Sequence, residues 1–315
     1  MPSISSKSKK ERKVTQKSLA SSLKQARAGL ESVLDHTKLE LLESERIASE
    51  LNLISKRIRC SEYRRSAFNT NVLNIPDRAQ ELIDDLSFFS GLARIWNQIL
   101  DAAKIKSGGS ILDIGAGYFP KIELALHYRG FRGNVTLLDS DSKALKQAQR
   151  FLSFFDVPFK LQLRAASLFK LKPAAYDLIV ANHFLDDLIL AEFCKSKSIT
   201  MAELYLSEQR FADSWNAIIE GELNLESLAE SLAQKLYSLT TPSGGTLIIL
   251  DYFSHSQASL GLTKILAYTL NFQRELKRQL ELVGFKQCRP KTKIKFLSGI
   301  VNLKKPALLI MKRSS

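Results

Sequence analysis

Gly115 and Gly117 stand one residue apart, directly after the apolar run Ile111-Leu-Asp-Ile114. Without a Cβ at either glycine, Gly115-Ala116-Gly117 can turn sharply and bring backbone close to a ligand. Asp139 follows 22 residues after Gly117, at the end of a second apolar run, Val135-Thr-Leu-Leu138. A carboxylate there can accept hydrogen bonds from both hydroxyls of a ribose. The pattern is that of a nucleoside site. A second set of residues has proton chemistry within reach. His183 follows the apolar run Leu178-Ile-Val-Ala181 and is one of four histidines. Imidazole is the side chain suited to taking a proton near neutral pH; in this place it can equally serve to orient the backbone after a strand. Asn182 beside it can hold a ligand through its amide or cap a helix. Asp186-Asp187 can orient a positive group, or be the acids that favour a first helical turn. Asp251 and Tyr252 end another apolar run and can line the same pocket. His183 and Asp251 are the candidate catalytic residues. The histidines are dispersed and no cluster has metal-ligand spacing, so no metal site is expected.

The elements that position these residues alternate between strand and helix. Apolar stretches at 110–114, 134–139, 159–165, 176–182 and 245–251 predict strands, and 121–128 and 142–154 predict helices between them. The fourth and fifth strands are joined by a long, mostly helical stretch, 184–237. A helix is predicted over 262–283, then two strands over 287–296 and 307–311 that can pair as a hairpin. Apolar strands separated by helices make an α/β chain with a mostly parallel sheet, covered on both faces. The hairpin would place one antiparallel strand at the sheet edge. Ligands in such sheets sit outside the carboxyl ends of the strands, where Gly115–Gly117, Asp139, His183 and Asp251 all fall. Before the sheet, residues 1–22 read as a basic polar tail and 23–84 as a helical region. Pro76 starts one helix and 88–103 forms another.

At these residues the chain resembles the class I S-adenosylmethionine-dependent methyltransferase family. Ile111-Leu-Asp-Ile-Gly-Ala-Gly117 matches the family's first motif, Asp139 stands at its ribose-binding acid, and Tyr176-Asp-Leu-Ile-Val-Ala-Asn182-His183 resembles the end of its fourth strand. The resemblance covers residues 85–315, with a helical insert near 187–242. It implies a Rossmann-like, seven-stranded, mostly parallel sheet with a closing antiparallel hairpin, and S-adenosyl-L-methionine as cofactor. It further implies that Asp113, Gly115 and Gly117 line the methionine and ribose side, with Ala116 between them. Ser140 and Asp141 would flank the adenosine. The acid that often contacts adenine after the third strand is Ala166 here, leaving Ser167 or backbone groups to substitute. The motif's third glycine is replaced by Phe119, and Pro120 follows. A pyrophosphate needs free N–H groups at that helix start; a bulky Phe119 and an N–H-free Pro120 offer little, which argues against a dinucleotide. No Asn-Pro-Pro-Tyr or cysteine motif follows the fourth strand, which argues against base N6-amino and pyrimidine C5 chemistry.

Charge and composition bear on partners. The chain of 315 residues carries a formal +14. Residues 1–30 hold eight Lys/Arg against one acid, and 264–315 hold thirteen against two, while the stretches between are slightly negative. Lys291, Lys293 and Lys295 alternate along one strand face, and Lys304-Lys305 follow. Such a stripe can hold a phosphate backbone, or simply protect a sheet edge from aggregation. The long insert between the fourth and fifth strands can form a lid over the acceptor or be extra packing. A small organic acceptor is favoured, with RNA as the alternative. Cys60, Cys194 and Cys288 are far apart and no ~20-residue apolar span exists. A reducing, cytoplasmic setting is expected.

Overall fold

A computed structural model describes residues 92–314, apart from 118, 154–156, 206, 253–262, 291–293 and 295–306. The expected tail (1–22), helical region (23–84) and lysine stripe at 291–295 therefore lie outside the described residues, as do Lys304 and Lys305. Helix α1 spans residues 92–102. Strands β1 (Ser110–Ile114), β2 (Asn134–Asp139), β3 (Lys160–Ala165), β4 (Leu178–Asn182), β5 (Thr246–Asp251), β6 (Phe285–Gln287) and β7 (Ala307–Arg313) form one sheet of order β3-β2-β1-β4-β5-β7-β6. Helices α2 (Lys121–Tyr128) and α3 (Ser142–Leu152) connect the first three strands. Between β4 and β5 lie α4 (Leu185–Ser196), α5 (Met201–Tyr205), α6 (Glu208–Ala217), a π-helical turn (Ile218–Glu222) and α7 (Leu225–Leu239); α8 (Thr263–Leu282) precedes β6.

Alternation along the central strands divides the core into two layers. Ile111, Val135, Val180 and Ile248 pack on one face with Trp96 and Ile99 of α1, Ile122 of α2 and Leu145 of α3. Leu112, Leu138, Ile179 and Ile249 pack on the other with Ile189 and Phe193 of α4, Trp215 of α6, Leu232 of α7 and Phe272 of α8. The strands are apolar on both sides because both sides are covered. The insert is part of this second layer. Phe211 and Trp215 are each 1% exposed within it, so the insert is a packed layer beneath the sheet and not the lid that was one reading of the sequence. Among the described residues no helix is long and apolar enough to cross a membrane.

The closing hairpin departs from expectation in two ways. β6 is confined to Phe285–Gln287, and the antiparallel strand is not at the edge: β7 pairs with β5 on one side and β6 on the other. The burial pattern explains the arrangement. Leu309, Ile310 and Met311 are all buried, which suits a slot between two strands, whereas Lys286 and Gln287 are exposed, which suits a short polar edge.

Register at the other end of β1 and β2 aims the site. Ile114 lies opposite Leu138, so the turn after β1 starts beside Asp139. That register begins at Gly109 and Gly133, where Asn134 N–H donates to the Gly109 carbonyl at 2.8 Å. A Cβ on Gly133 would collide with that same carbonyl oxygen, and backbone cannot step aside as a side chain can. Gly133→Ala should therefore cost about 1–3 kcal/mol or more in denaturant unfolding, with a lower midpoint and unchanged slope.

Candidate active site

The turn after β1 is built from left-handed backbone. Gly115 has φ +68 and Gly117 φ +69, conformations that L side chains with a Cβ resist. Gly115 N–H donates to the Leu138 carbonyl at 2.8 Å, and Gly117 N–H to Asp139 Oδ2 at 3.0 Å. Asp139 Oδ1 accepts the Asp141 N–H at 2.9 Å. The carboxylate thus ties the glycine turn to the loop after β2. Burial pushes its pKa up, and the two backbone donors offset part of that rise. Each oxygen keeps a further lone pair for a ligand. The space left by the missing Cβ at Gly115 is taken by a ring: an added Cβ would stand 3.0 Å from Phe184 Cδ2.

Pro120 caps α2 from outside, so the first helical residue is Lys121, as the sequence predicts. Lys121 N–H donates to the Phe119 carbonyl at 2.9 Å, and its ammonium to the Ala116 carbonyl at 2.9 Å. The helix start accordingly offers little to a pyrophosphate.

Behind the turn lies a pair of acids. Asp113 is 1% exposed and Glu123 of α2 is 0% exposed. Burial, then the Glu123 charge, raises Asp113 well above its ordinary pKa, with Lys121 opposing. Burial also raises Glu123, again opposed by Lys121. Asp113, expected to line the cofactor, thus stands beneath the turn as half of a carboxyl pair. Glu123 was invisible in the sequence, because its place in the first turn of a helix reads as a favourable surface acid.

The ends of β4 and β5 carry a second polar group. Asn182 accepts from Trp96 Nε1 at 2.8 Å and donates to Tyr252 Oη at 3.0 Å. Its amide faces the core, where it holds α1 and the end of β5 together. His183 has φ +54, an uncommon value for a residue other than glycine, and its N–H donates to the Leu250 carbonyl at 2.7 Å. Its ring stacks on Tyr252, with centroids 4.6 Å apart and planes 13° from parallel. His183 Nε2 lies 3.5 Å from Asp186 Oδ2, and Nδ1 lies 3.6 Å from Asp251 Oδ1. The candidate catalytic pair is therefore adjacent. Asp186, in the first turn of α4 and three residues on, joins it. Ser140 is exposed beside Asp139, and Ser167 is exposed past β3, where Ala166 N–H donates to the Asp139 carbonyl at 3.0 Å.

A cavity of about 1040 Å³ opens at the opposite end of the sheet, among Lys106, Gly108, Asp177, Thr241 and Lys312. It meets none of the residues above. In open α/β sheets ligands bind at the carboxyl ends, and that rule favours the glycine turn over this cavity as the candidate site.

No family model and no curated protein matches this sequence. Solved structures similar to it include magnesium protoporphyrin IX methyltransferase from Synechocystis PCC 6803 with bound SAH, at 13% identity, TM-score 0.44, over 84% of this chain and 100% of that one. A protein of Bordetella parapertussis described as a possible exported protein is similar at 15% identity, TM-score 0.43, over 99% and 100%. TrmN from Thermus thermophilus is similar at 15% identity, TM-score 0.41, over 72% and 52%. All three scores are below 0.5, so none bears on the reaction. The strand order and the single antiparallel strand are this chain's own. The fold is a Rossmann-like seven-stranded sheet in which β7 alone runs antiparallel to the rest.

The acid pair makes stability depend on pH with a definite sign. Both carboxyls are raised, so the folded chain holds protons there that the unfolded chain releases. That contribution is complete below the ordinary carboxyl values of about 4 and is lost as pH rises through the folded-state values. Glu123→Gln removes one ionisable partner. Its melting temperature relative to the unmodified protein should rise between about pH 5 and about pH 8, by roughly 2–4 °C per kcal/mol relieved. Thermal melts followed by circular dichroism would check this; a difference that stays constant with pH would reject a shared proton.

Proposed function

We propose that the chain is an S-adenosylmethionine-dependent methyltransferase acting on a small organic acceptor. The observation that carries the cofactor is the Asp139 carboxylate, bonded to Gly117 N–H beneath a turn of two left-handed glycines. The residues fit a nucleoside without phosphates. Asp139 keeps lone pairs for ribose hydroxyls, Ser140 lies exposed beside it, and the α2 start lacks the free donors a pyrophosphate needs.

When bound, the cofactor supplies an electrophilic methyl group. The chain's own residues bind, orient and exclude water. Gly115–Gly117 would take the ligand against backbone, and Phe184 would close one side of the turn. His183, whose ring stacks on Tyr252, would receive a proton from an acceptor hydroxyl or ammonium at an imidazole nitrogen. Asp251, 3.6 Å from Nδ1, would orient the ring.

The acceptor reading rests on charge. Asp139, Asp141, Asp186, Asp187 and Asp251 make the carboxyl end of the sheet acidic, and Asp187 is close enough to Asp139 to raise its pKa. Such a rim repels a polyphosphate chain and suits a neutral or cationic small molecule. An RNA acceptor is the second reading, favoured by the basic residues of 264–315, among which Lys286 and Arg289 are exposed.

Calorimetry should find binding of S-adenosylmethionine and none of NAD. Asp139→Ala should weaken it about tenfold to a hundredfold, as expected for hydrogen bonds to a charged group. Equal binding of the two nucleotides, or an unaffected Asp139→Ala, would reject the class. Salt-sensitive RNA binding that competes with turnover would replace the small acceptor by RNA.

A further inference from the structure

The histidine and two aspartates at the ends of β4 and β5 have the composition of a metal site as much as of a proton relay. The ligand atoms of His183, Asp186 and Asp251 all lie within 4.8 Å of one another. In a tetrahedral site with bonds of about 2.1 Å, neighbouring donors stand ~3.4 Å apart; His183 Nε2 is 3.5 Å from Asp186 Oδ2 and Nδ1 is 3.6 Å from Asp251 Oδ1, so whichever ring nitrogen binds has one carboxylate at that spacing and the other within 4.8 Å. One imidazole nitrogen with two carboxylates also balances a divalent charge.

A second observation is independent of that cluster. Asp251 is 2% exposed and Thr269 of α8 is 5% exposed. Both Asp251 oxygens and the Thr269 hydroxyl are buried and make no hydrogen bond among the described residues. A buried helical threonine ordinarily bonds back to a carbonyl one turn earlier; this one does not. Orphaned buried polar atoms are costly and ask for a partner. These side chains line one small cavity with His183, Asp186, Tyr252, Leu266 and Leu270. Its volume is about 10 Å³, the room of roughly one water or ion, and too little for an organic ammonium.

We propose that His183, Asp186 and Asp251 bind one divalent transition-metal ion, with Thr269 contributing an outer oxygen. Imidazole with carboxylates selects Mn²⁺ or Zn²⁺ over Mg²⁺, which prefers oxygen ligands and retains its water. A bound ion uses a His183 lone pair, so His183 is then a ligand and not a proton acceptor. The inference stands apart from methyl transfer, since nothing in the ligand set requires a nucleoside cofactor.

The test is calorimetric titration of the chelator-treated full chain with MnCl₂, ZnCl₂ and MgCl₂. One equivalent of Mn²⁺ or Zn²⁺ should bind, with Mg²⁺ at least tenfold weaker. Asp251→Asn and His183→Ala should each weaken Mn²⁺ tenfold or more while circular dichroism stays unchanged. Should either variant misfold, the unmodified protein still decides. Mn²⁺ should broaden the proton resonances of His183 selectively among the four histidines. Absence of stoichiometric binding, unaltered binding in both folded variants, or selective broadening of another histidine would overturn the proposal. S-adenosylmethionine binding measured on the same samples separates the two readings: its absence with metal binding intact would reject the methyltransferase and leave the ion site standing.

Discussion

The Asp139 carboxylate accepts one backbone N–H from each of two loops, Gly117 after β1 and Asp141 after β2. The rest of the site depends on that pair of bonds. They fix where the glycine turn stands relative to β2, and the strand register beneath them fixes how far along the sheet the turn begins. Because the carboxylate is already ordered by the protein, a ligand meeting its remaining lone pairs need not immobilise it. Preorganisation of this kind reduces what binding must overcome. The cost is a partly buried carboxyl whose ionisation is discouraged.

The same economy of backbone and side chain extends to β4 and β5. Trp96 donates to Asn182, Asn182 donates to Tyr252, and Tyr252 carries the His183 ring. Helix α1 is thereby tied to the ends of β4 and β5 by three buried or stacked contacts. A polar relay in a core is favourable only when its members are satisfied, and here the Asn182 amide is satisfied on both sides. Its task is to hold Tyr252, and through it the plane of His183. The left-handed backbone at His183 persists because β5 pairs with it and Tyr252 supports its ring. Strain held by its surroundings in this way gathers at functional positions.

Much of this was legible in the residues. The five central strands and the glycine turn came from apolar runs punctuated by glycine, and Asp139 from its place at a strand tip. These signals are local. What escaped is non-local. His183 and Asp251 were each read as site residues, but their 3.6 Å approach follows from β4 pairing with β5, 68 residues apart in sequence. Glu123 sits in the first helical turn as a surface acid would, and only the packing of α2 on β1 buries it against Asp113. Asn182 had the right address and the opposite direction, since no periodicity tells which way a side chain turns after a strand's last residue. β7 was foreseen as a strand and misplaced at the edge, because its slot is decided by burial on both sides.

Charge is sorted along the molecule, and the sorting limits what can approach. The carboxyl end of the sheet is lined with aspartates, while the basic surplus lies at the two ends of the chain. A polyanion would have to present its reacting atom to those aspartates. Each phosphate near Asp139, Asp186 or Asp251 would meet repulsion in a region of reduced dielectric, where unlike and like charges alike count for more than in water. A cation at His183, Asp186 and Asp251 would reverse that sign locally and admit an anionic oxygen beside the ends of β4 and β5. The electrostatics at the ends of β4 and β5 thus turn on whether those three residues hold a metal ion.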